Sequence, residues 1–363
     1  MTRDELQDAA VRRLERERRL ICQWATGTGK SNVVLKFLQK HPGFQCLILV
    51  PEQNNIQNWL DEFRKFNVPT DGVSVICYAS FHKQVHTEWN LLVFDEMPHI
   101  DTEKRLAICN SVSGDYILAL GAVIDEDERQ SLESVYGKFD KSVVSLSNAI
   151  AMGILPKPKV TVLHMQLDDT DKKFWMNGRS YSALGYYGEL KKKVDGTVSA
   201  FNNNANKFNK MRMLSAGSER KRFLGSQKEI ILKKLCDSLE QKGKRFLCFC
   251  SSIEQAEKLG GEKAFTSKSP KSFDHLNKFN NHEIDSLYVV GKLIEGQNLK
   301  DIDCGIIGQL GGTQRITVQE CGRILRSTNP EIYIPIFDDT KDNDFLYTLT
   351  SSIPREYIQH YNF

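Results

Sequence analysis

Residues 25–31, Ala25-Thr26-Gly27-Thr28-Gly29-Lys30-Ser31, set two glycines, a lysine and a hydroxyl in the order that holding a polyphosphate requires. Glycine lets the backbone turn tightly and aim successive N–H groups at phosphate oxygens. Thr26, Gly27, Thr28 and Gly29 would form that cradle. Lys30 would reach the β and γ phosphates, and the Ser31 hydroxyl would ligate Mg²⁺. The apolar run Leu20–Trp24 precedes the loop and the amphipathic run Asn32–Leu38 follows it. That context is strand, loop, helix, with the positive end of the helix dipole turned to the anion. The pattern departs from G-x-x-x-x-G-K-[ST] at Trp24, which stands in place of the first glycine.

Two more groups fit hydrolysis of a phosphoanhydride. Leu91-Leu92-Val93-Phe94 is an apolar strand that delivers Asp95 and Glu96 at its carboxyl end. Asp95 would hold Mg²⁺, and Glu96 would orient and deprotonate the attacking water. Near the other end stands Gln319-Glu320-Cys321-Gly322-Arg323-Ile324-Leu325-Arg326. Arg323 and Arg326 are one helical turn apart and share a face. Two guanidiniums on one face can clamp a γ-phosphate. Their distance along the chain from the glycine loop demands a second domain to bring them in.

The elements that must position these groups are read from apolar runs. Strands at Leu20–Gln23, Cys46–Val50, Val73–Cys77, Leu91–Phe94 and Tyr116–Leu120 alternate with helical stretches, the mark of a doubly wound parallel α/β sheet. The first lobe is expected over 1–155. A connector over 156–226 begins at Pro156-Lys157-Pro158. A second α/β lobe is expected over 227–363, with a helix over Glu229–Leu239 and strands near Phe246–Phe249, Ser286–Val290, Cys304–Ile307 and Ile332–Phe337.

Together these motifs resemble the superfamily 2 helicases and translocases of DEAD/DEAH type, over most of the chain. Ala25–Ser31 resembles motif I, Asp95-Glu96 motif II, and Gln319–Arg326 motif VI, Q-x-x-G-R-x-x-R. Leu47–Pro51 with Gln57-Asn58-Trp59 resembles motif Ia, and Cys77–Phe81 the DNA-contacting segment after it. Phe246–Ser252 resembles motif IV, and Gly291–Leu299, containing Gly296, motif V. The pattern is similar to phage repair helicases and to restriction-enzyme motor subunits. The resemblance implies two RecA-like domains with an ATP cleft between them. It makes Gln7 the adenine-reading glutamine, Gly296 a nucleotide-site residue, and Gln319, Arg323 and Arg326 part of the catalytic set with Glu96. Two departures stand out: Pro98 and His99 follow Asp95-Glu96-Met97, and Gly121-Ala122-Val123 lacks the hydroxyls usual in motif III.

Composition agrees with a soluble two-domain protein: 363 residues, 40% hydrophobic, 26% charged, with no apolar run of membrane-span length. Nine cysteines are scattered with no C-x-x-C pair and the amino terminus has no signal-peptide core, so a cytoplasmic protein is expected, in a host cytoplasm if phage-encoded. The basic run Arg12–Arg19 reads as a solvated helix face. Charge is concentrated elsewhere. From Lys172 to Lys228 there are 13 Lys or Arg against 3 Asp or Glu, a net +10 in a chain of +3, so the remainder carries −7. Phe174, Trp175, Tyr181, Tyr186, Tyr187, Phe201, Phe208 and Phe223 are interleaved with this charge. Such an insertion between lobes suits nucleic acid, with lysines on the phosphates and rings beneath unpaired bases; the alternative for the rings is a small core of their own, and the one-sided charge favours nucleic acid. The expected activity is ATP-dependent movement on DNA, single-stranded or branched. An RNA helicase and a weakly hydrolysing DNA clamp are the alternatives.

Overall fold

The computed structural model describes residues 1–363 apart from 85–86, 98–102, 267–271, 291–298, 300, 311–323, 325–326 and 352; for 103–104 and 272–273 it describes the backbone alone. The chain divides into two compact units. One is built on Met1–Lys157, the other on Pro158–Ile294, Asp301–Thr313 and Ser327–Phe363.

The first unit runs α1 (Arg3–Glu17), β1 (Arg19–Trp24), α2 (Ser31–Lys40), β2 (Cys46–Val50), α3 (Gln53–Lys65), β3 (Val73–Cys77), β4 (Thr87–Phe94), α4 (Glu103–Cys109), β5 (Val112–Gly121), α5 (Glu126–Tyr136), β6 (Asp140–Val144) and α6 (Leu146–Ala151). Among the described residues its strands form one parallel sheet of six, in the order β3-β2-β4-β5-β1-β6. Strands covered by helices on both faces read as unbroken apolar runs, and all five residues of β2 are buried. Thr2 and Glu5 cap α1 reciprocally, the Glu5 N–H donating to the Thr2 hydroxyl at 3.2 Å and the Thr2 N–H to the Glu5 carboxylate at 2.8 Å. The helix buries Leu6, Gln7, Ala10, Val11 and Leu14, a stripe at helical spacing. One member of the basic run is structural, since Arg13 donates to both Asp140 oxygens at 2.7 and 2.6 Å and so ties α1 to β6.

Register decides where the chemistry emerges. Ile21 and Phe94 both stand opposite Ala119 of β5. The loops after β1 and β4 therefore leave the same edge of the sheet on either side of β5, at the carboxyl ends where open parallel sheets bind ligands.

The second unit runs β7 (Lys159–Met165), the antiparallel pair β8 (Phe174–Met176) and β9 (Arg179–Tyr181), α7 (Ala183–Asn203), α8 (Lys207–Gln227), α9 (Glu229–Gln241), β10 (Phe246–Cys250), α10 (Ile253–Gly260), β11 (Ala264–Phe265), α11 (Ser272–Asn280), β12 (Ser286–Val290), β13 (Cys304–Ile307), β14 (Glu331–Phe337), α12 (Lys341–Thr350) and β15 (Ile358–Asn362). Its second parallel sheet has the order β11-β12-β10-β13-β14-β7-β15. This corrects the expected connector over 156–226. β7 is an interior strand of the second sheet, paired to β14 over seven residues, and α7 and α8 pack as a hairpin within the same unit.

The hairpin is anchored by apolar spacing. α7 buries Ala183, Tyr187, Leu190, Val194 and Thr197, alternating steps of three and four. Tyr187, Leu190, Phe223 and Leu224 share one core with Met165, Leu167, Ile231 and Phe337. The link between α7 and α8, residues 204–206, is a built turn. Asn206 caps α8 by accepting from the Asn209 N–H at 2.8 Å, and the Asn209 amide reaches back to the Ala200 and Asn204 carbonyls.

Lys228 belongs to this core and not to the basic surface. Its ammonium, fully buried, pairs with Asp342 at 2.8 Å, and Asp342 also accepts from the Phe337 N–H. Asp342→Ala would strand a buried charge, so a drop of about 3–5 kcal/mol in urea-melt stability is expected. A drop below about 1 kcal/mol would show that Lys228 finds water or another partner.

Candidate nucleotide site

The glycine loop adopts the conformation its sequence demands. Gly27 and Gly29 have φ of +88° and +84°, a region that side chains rarely enter. Trp24, in place of the first glycine, turns its ring into the interior and donates from Nε1 to the Ser142 hydroxyl of β6 at 2.9 Å. The Thr28 hydroxyl donates to the Ala25 carbonyl at 2.7 Å and closes the loop from inside. Lys30 Nζ donates to the Trp24 carbonyl at 3.0 Å, which keeps the ammonium over the loop. Ser31 is the first residue of α2. Gln7, buried on α1, donates from Nε2 to the Gly29 carbonyl at 3.2 Å, and a Cβ on Gly29 would lie 2.5 Å from that nitrogen. Gln7 is thus a strut of the loop.

Across β5, Asp95 and Glu96 follow β4. The Asp95 carboxylate accepts from Trp59 Nε1 at 2.8 Å and from the Glu96 N–H at 3.1 Å. The Tyr78 hydroxyl donates to the Asp95 carbonyl at 2.9 Å. Glu96 has φ +48°, an uncommon backbone state for a residue with a side chain. Burial pushes the Asp95 carboxyl up to about 6, and the neighbouring Glu96 adds to the push; the Trp59 N–H and the Lys30 ammonium act the other way. Burial beside Asp95 and Glu96 likewise lifts the Tyr78 phenol well above its usual range, so it stays a donor.

The groups on this edge fit a magnesium-bound nucleoside triphosphate. The two glycines leave a side-chain-free cradle, and the Thr26 hydroxyl is buried with no hydrogen-bond partner among the described residues. Lys30 supplies a cation, and Ser31 and Asp95 supply the oxygen donors that Mg²⁺ takes. Its charge would also offset the desolvation that raises Asp95.

Of the residues singled out in the sequence, Gln7, Thr26–Ser31, Asp95 and Glu96 stand on this edge. Gly296, Gln319, Arg323 and Arg326 lie outside the described residues, as do Pro98 and His99. Trp59, read from the resemblance as part of motif Ia, and Tyr78 and Phe81, read as part of the DNA-contacting segment after it, are buried at 4%, 2% and 0% exposure. Trp59 and Tyr78 serve Asp95 instead. In the basic segment, Phe174, Tyr186 and Phe223 pack on one another with ring centroids 5.0–5.3 Å apart, and Tyr187 is core. These rings belong to the small core that the sequence allowed for. Trp175 and Phe208 are exposed, at 71% and 67%.

Comparison with known proteins agrees with this geometry. The DEAD/DEAH box helicase family matches residues 4–102, which hold the glycine loop and Asp95-Glu96. The DNA 3'-5' translocase XPB2 of Sulfurisphaera tokodaii is 24% identical over 379 residues, covering 90% of this chain and 79% of that protein. The fold resembles the Hef helicase domain of Pyrococcus furiosus, with TM-score 0.59, 14% identity and coverage of 94% of this chain and 97% of that one. It also resembles the ATP-dependent Type ISP restriction-modification enzyme LlaBIII bound to DNA, with TM-score 0.60 and 15% identity. That match covers 99% of this chain and 31% of the larger enzyme. Among the described residues no helix is long and apolar enough to cross a membrane.

Proposed function

We propose that this chain, a member of the superfamily 2 helicases and translocases, is an ATPase that moves along DNA and separates or remodels its strands. The observation that carries the reading is the delivery of Lys30 and Asp95 to one edge of one parallel sheet, with Lys30 acting electrostatically on the Asp95 carboxylate. In this reading the loop amides and Lys30 hold the triphosphate, and Ser31 and Asp95 hold Mg²⁺. Glu96 takes a proton from the attacking water. Arg323 and Arg326, with Gln319, neutralise the charge that develops on the transferred phosphoryl group. Gly296 and Gln7 belong to the nucleotide site, Gln7 through the Gly29 carbonyl.

DNA as the track is supported by the relative described as a DNA translocase and by the restriction enzyme whose structure holds DNA. ATPase rates with single-stranded DNA, duplex, forked DNA and RNA in parallel test the reading. Stimulation by DNA well above that by RNA is expected. Turnover indifferent to any nucleic acid would overturn it.

The α7–α8 hairpin supplies the basic surface. Lys191, Lys207, Lys210, Arg212 and Arg222 are on it, and all five are exposed. Removing the whole hairpin is a poor experiment, since Tyr187, Leu190 and Phe223 hold the core. Charge reversal at Lys207, Lys210 and Arg212 should weaken duplex binding. It should also flatten the salt dependence, by about 0.9 in the log–log slope for every phosphate no longer neutralised. Nucleotide binding without DNA should not change. Trp175→Ala should cost about 1–3 kcal/mol in single-strand affinity if the exposed ring carries a base. Unchanged affinity and salt slope would assign this charge to something other than DNA.

A further inference from the structure

We infer that Trp59 and Tyr78 are positioning residues for the two acids, Trp59 setting the Asp95 carboxylate and Tyr78 the peptide that aims Glu96. The inference rests on the ATPase reading above and adds to it the parts that hold the acids in place. The sheet order β3-β2-β4 makes three carboxyl ends neighbours. Tyr78 directly follows β3, α3 with Trp59 follows β2, and Asp95 follows β4.

Both rings are buried, so neither the indole N–H nor the phenol O–H has bulk water as an alternative partner. Each finds Asp95. Trp59 takes Oδ2 and the Glu96 N–H takes Oδ1, so one rotamer of the carboxylate is held at both oxygens. Partners of this kind orient a metal-binding carboxylate before the metal arrives. Tyr78 donates to the carbonyl of the same peptide whose N–H binds Oδ1. That peptide leads into Glu96 at φ +48°, a state that persists only where surrounding contacts enforce it. The Arg105 guanidinium lies over the Tyr78 ring, 5.5 Å from its centre.

The two residues should fail differently. Trp59→Phe keeps a ring and deletes the donor. Mn²⁺ binding in the presence of a non-hydrolysable ATP analogue, followed by electron spin resonance, should weaken about 10–100-fold. The Mg²⁺ concentration that half-saturates turnover should rise in parallel. Tyr78→Phe deletes one oxygen. It should lower kcat by about tenfold or more, with Mn²⁺ and nucleotide affinity unchanged.

Thermal melts of both variants give the control. A lowered Tm with Mn²⁺ affinity within about twofold of wild type would make Trp59 a packing residue and overturn its assignment. Unchanged kcat in Tyr78→Phe would overturn the other. Should Trp59→Phe fail to fold, the Tyr78 variant decides the inference. A wild-type chain that binds Mn²⁺ and nucleotide but turns nothing over would instead sink the ATPase reading, with the Trp59 binding measurement still deciding the carboxylate arm.

Discussion

Glu96→Gln is expected to bind ATP as the wild type does and to hydrolyse it about 10²–10⁴-fold more slowly, the range for removal of a general base. The amide keeps the size and hydrogen-bonding reach of the carboxylate but cannot take a proton from water. Its backbone state, at φ +48°, is no harder for Gln than for Glu, so the variant should fold. Lys30→Ala should abolish turnover by another route, because the triphosphate is deprived of its fixed cation. The Trp24 carbonyl, which now accepts from Lys30, would also be left without that donor. A nucleotide-binding titration beside a phosphate-release assay separates the two: Glu96→Gln keeps binding and Lys30→Ala weakens it. Wild-type hydrolysis by Glu96→Gln would remove Glu96 from the chemistry.

How much of this is legible in the sequence depends on how local each feature is. The glycine loop is legible because its requirements lie within seven residues, and the positive φ of Gly27 and Gly29 is a local property. Asp95-Glu96 is legible only in company with the glycine loop, because a strand that ends in an acidic turn is common in α/β proteins. The role of Trp59 is not legible. It depends on β2 lying between β3 and β4, an order set by long-range pairing. β7 is hidden for the same reason, since its partner β14 lies far along the chain. A charge count over Lys172–Lys228 finds a basic surface but cannot tell which members face water. Lys228 falls within that count, yet it is buried against Asp342. The aromatics divide in the same way, because Tyr187 and Phe223 fall at core positions of α7 and α8 while Trp175 and Phe208 do not.

Arg323→Ala should lower turnover on the order of 10³-fold, the scale of an arginine finger, with a much smaller change in ATP affinity. The asymmetry follows from what the guanidinium does. Negative charge on the transferred phosphoryl group and the departing oxygen is redistributed in the transition state, and a planar fork of donors at that point favours the transition state over bound ATP. Arg323→Lys should recover little, because a point charge on a flexible stem cannot present two parallel donors. Arg326, three residues on in the sequence, is the second member of the pair, and its removal should cost less if Arg323 carries the phosphoryl contact. Single-turnover hydrolysis at saturating ATP, set beside equilibrium binding of the nucleotide, reads the two quantities apart. Equal losses in both would make Arg323 an ordinary binding residue. Unchanged turnover would mean that Arg323 does not meet the transferred phosphoryl group, and the charge there would have to be met by Lys30 and the metal.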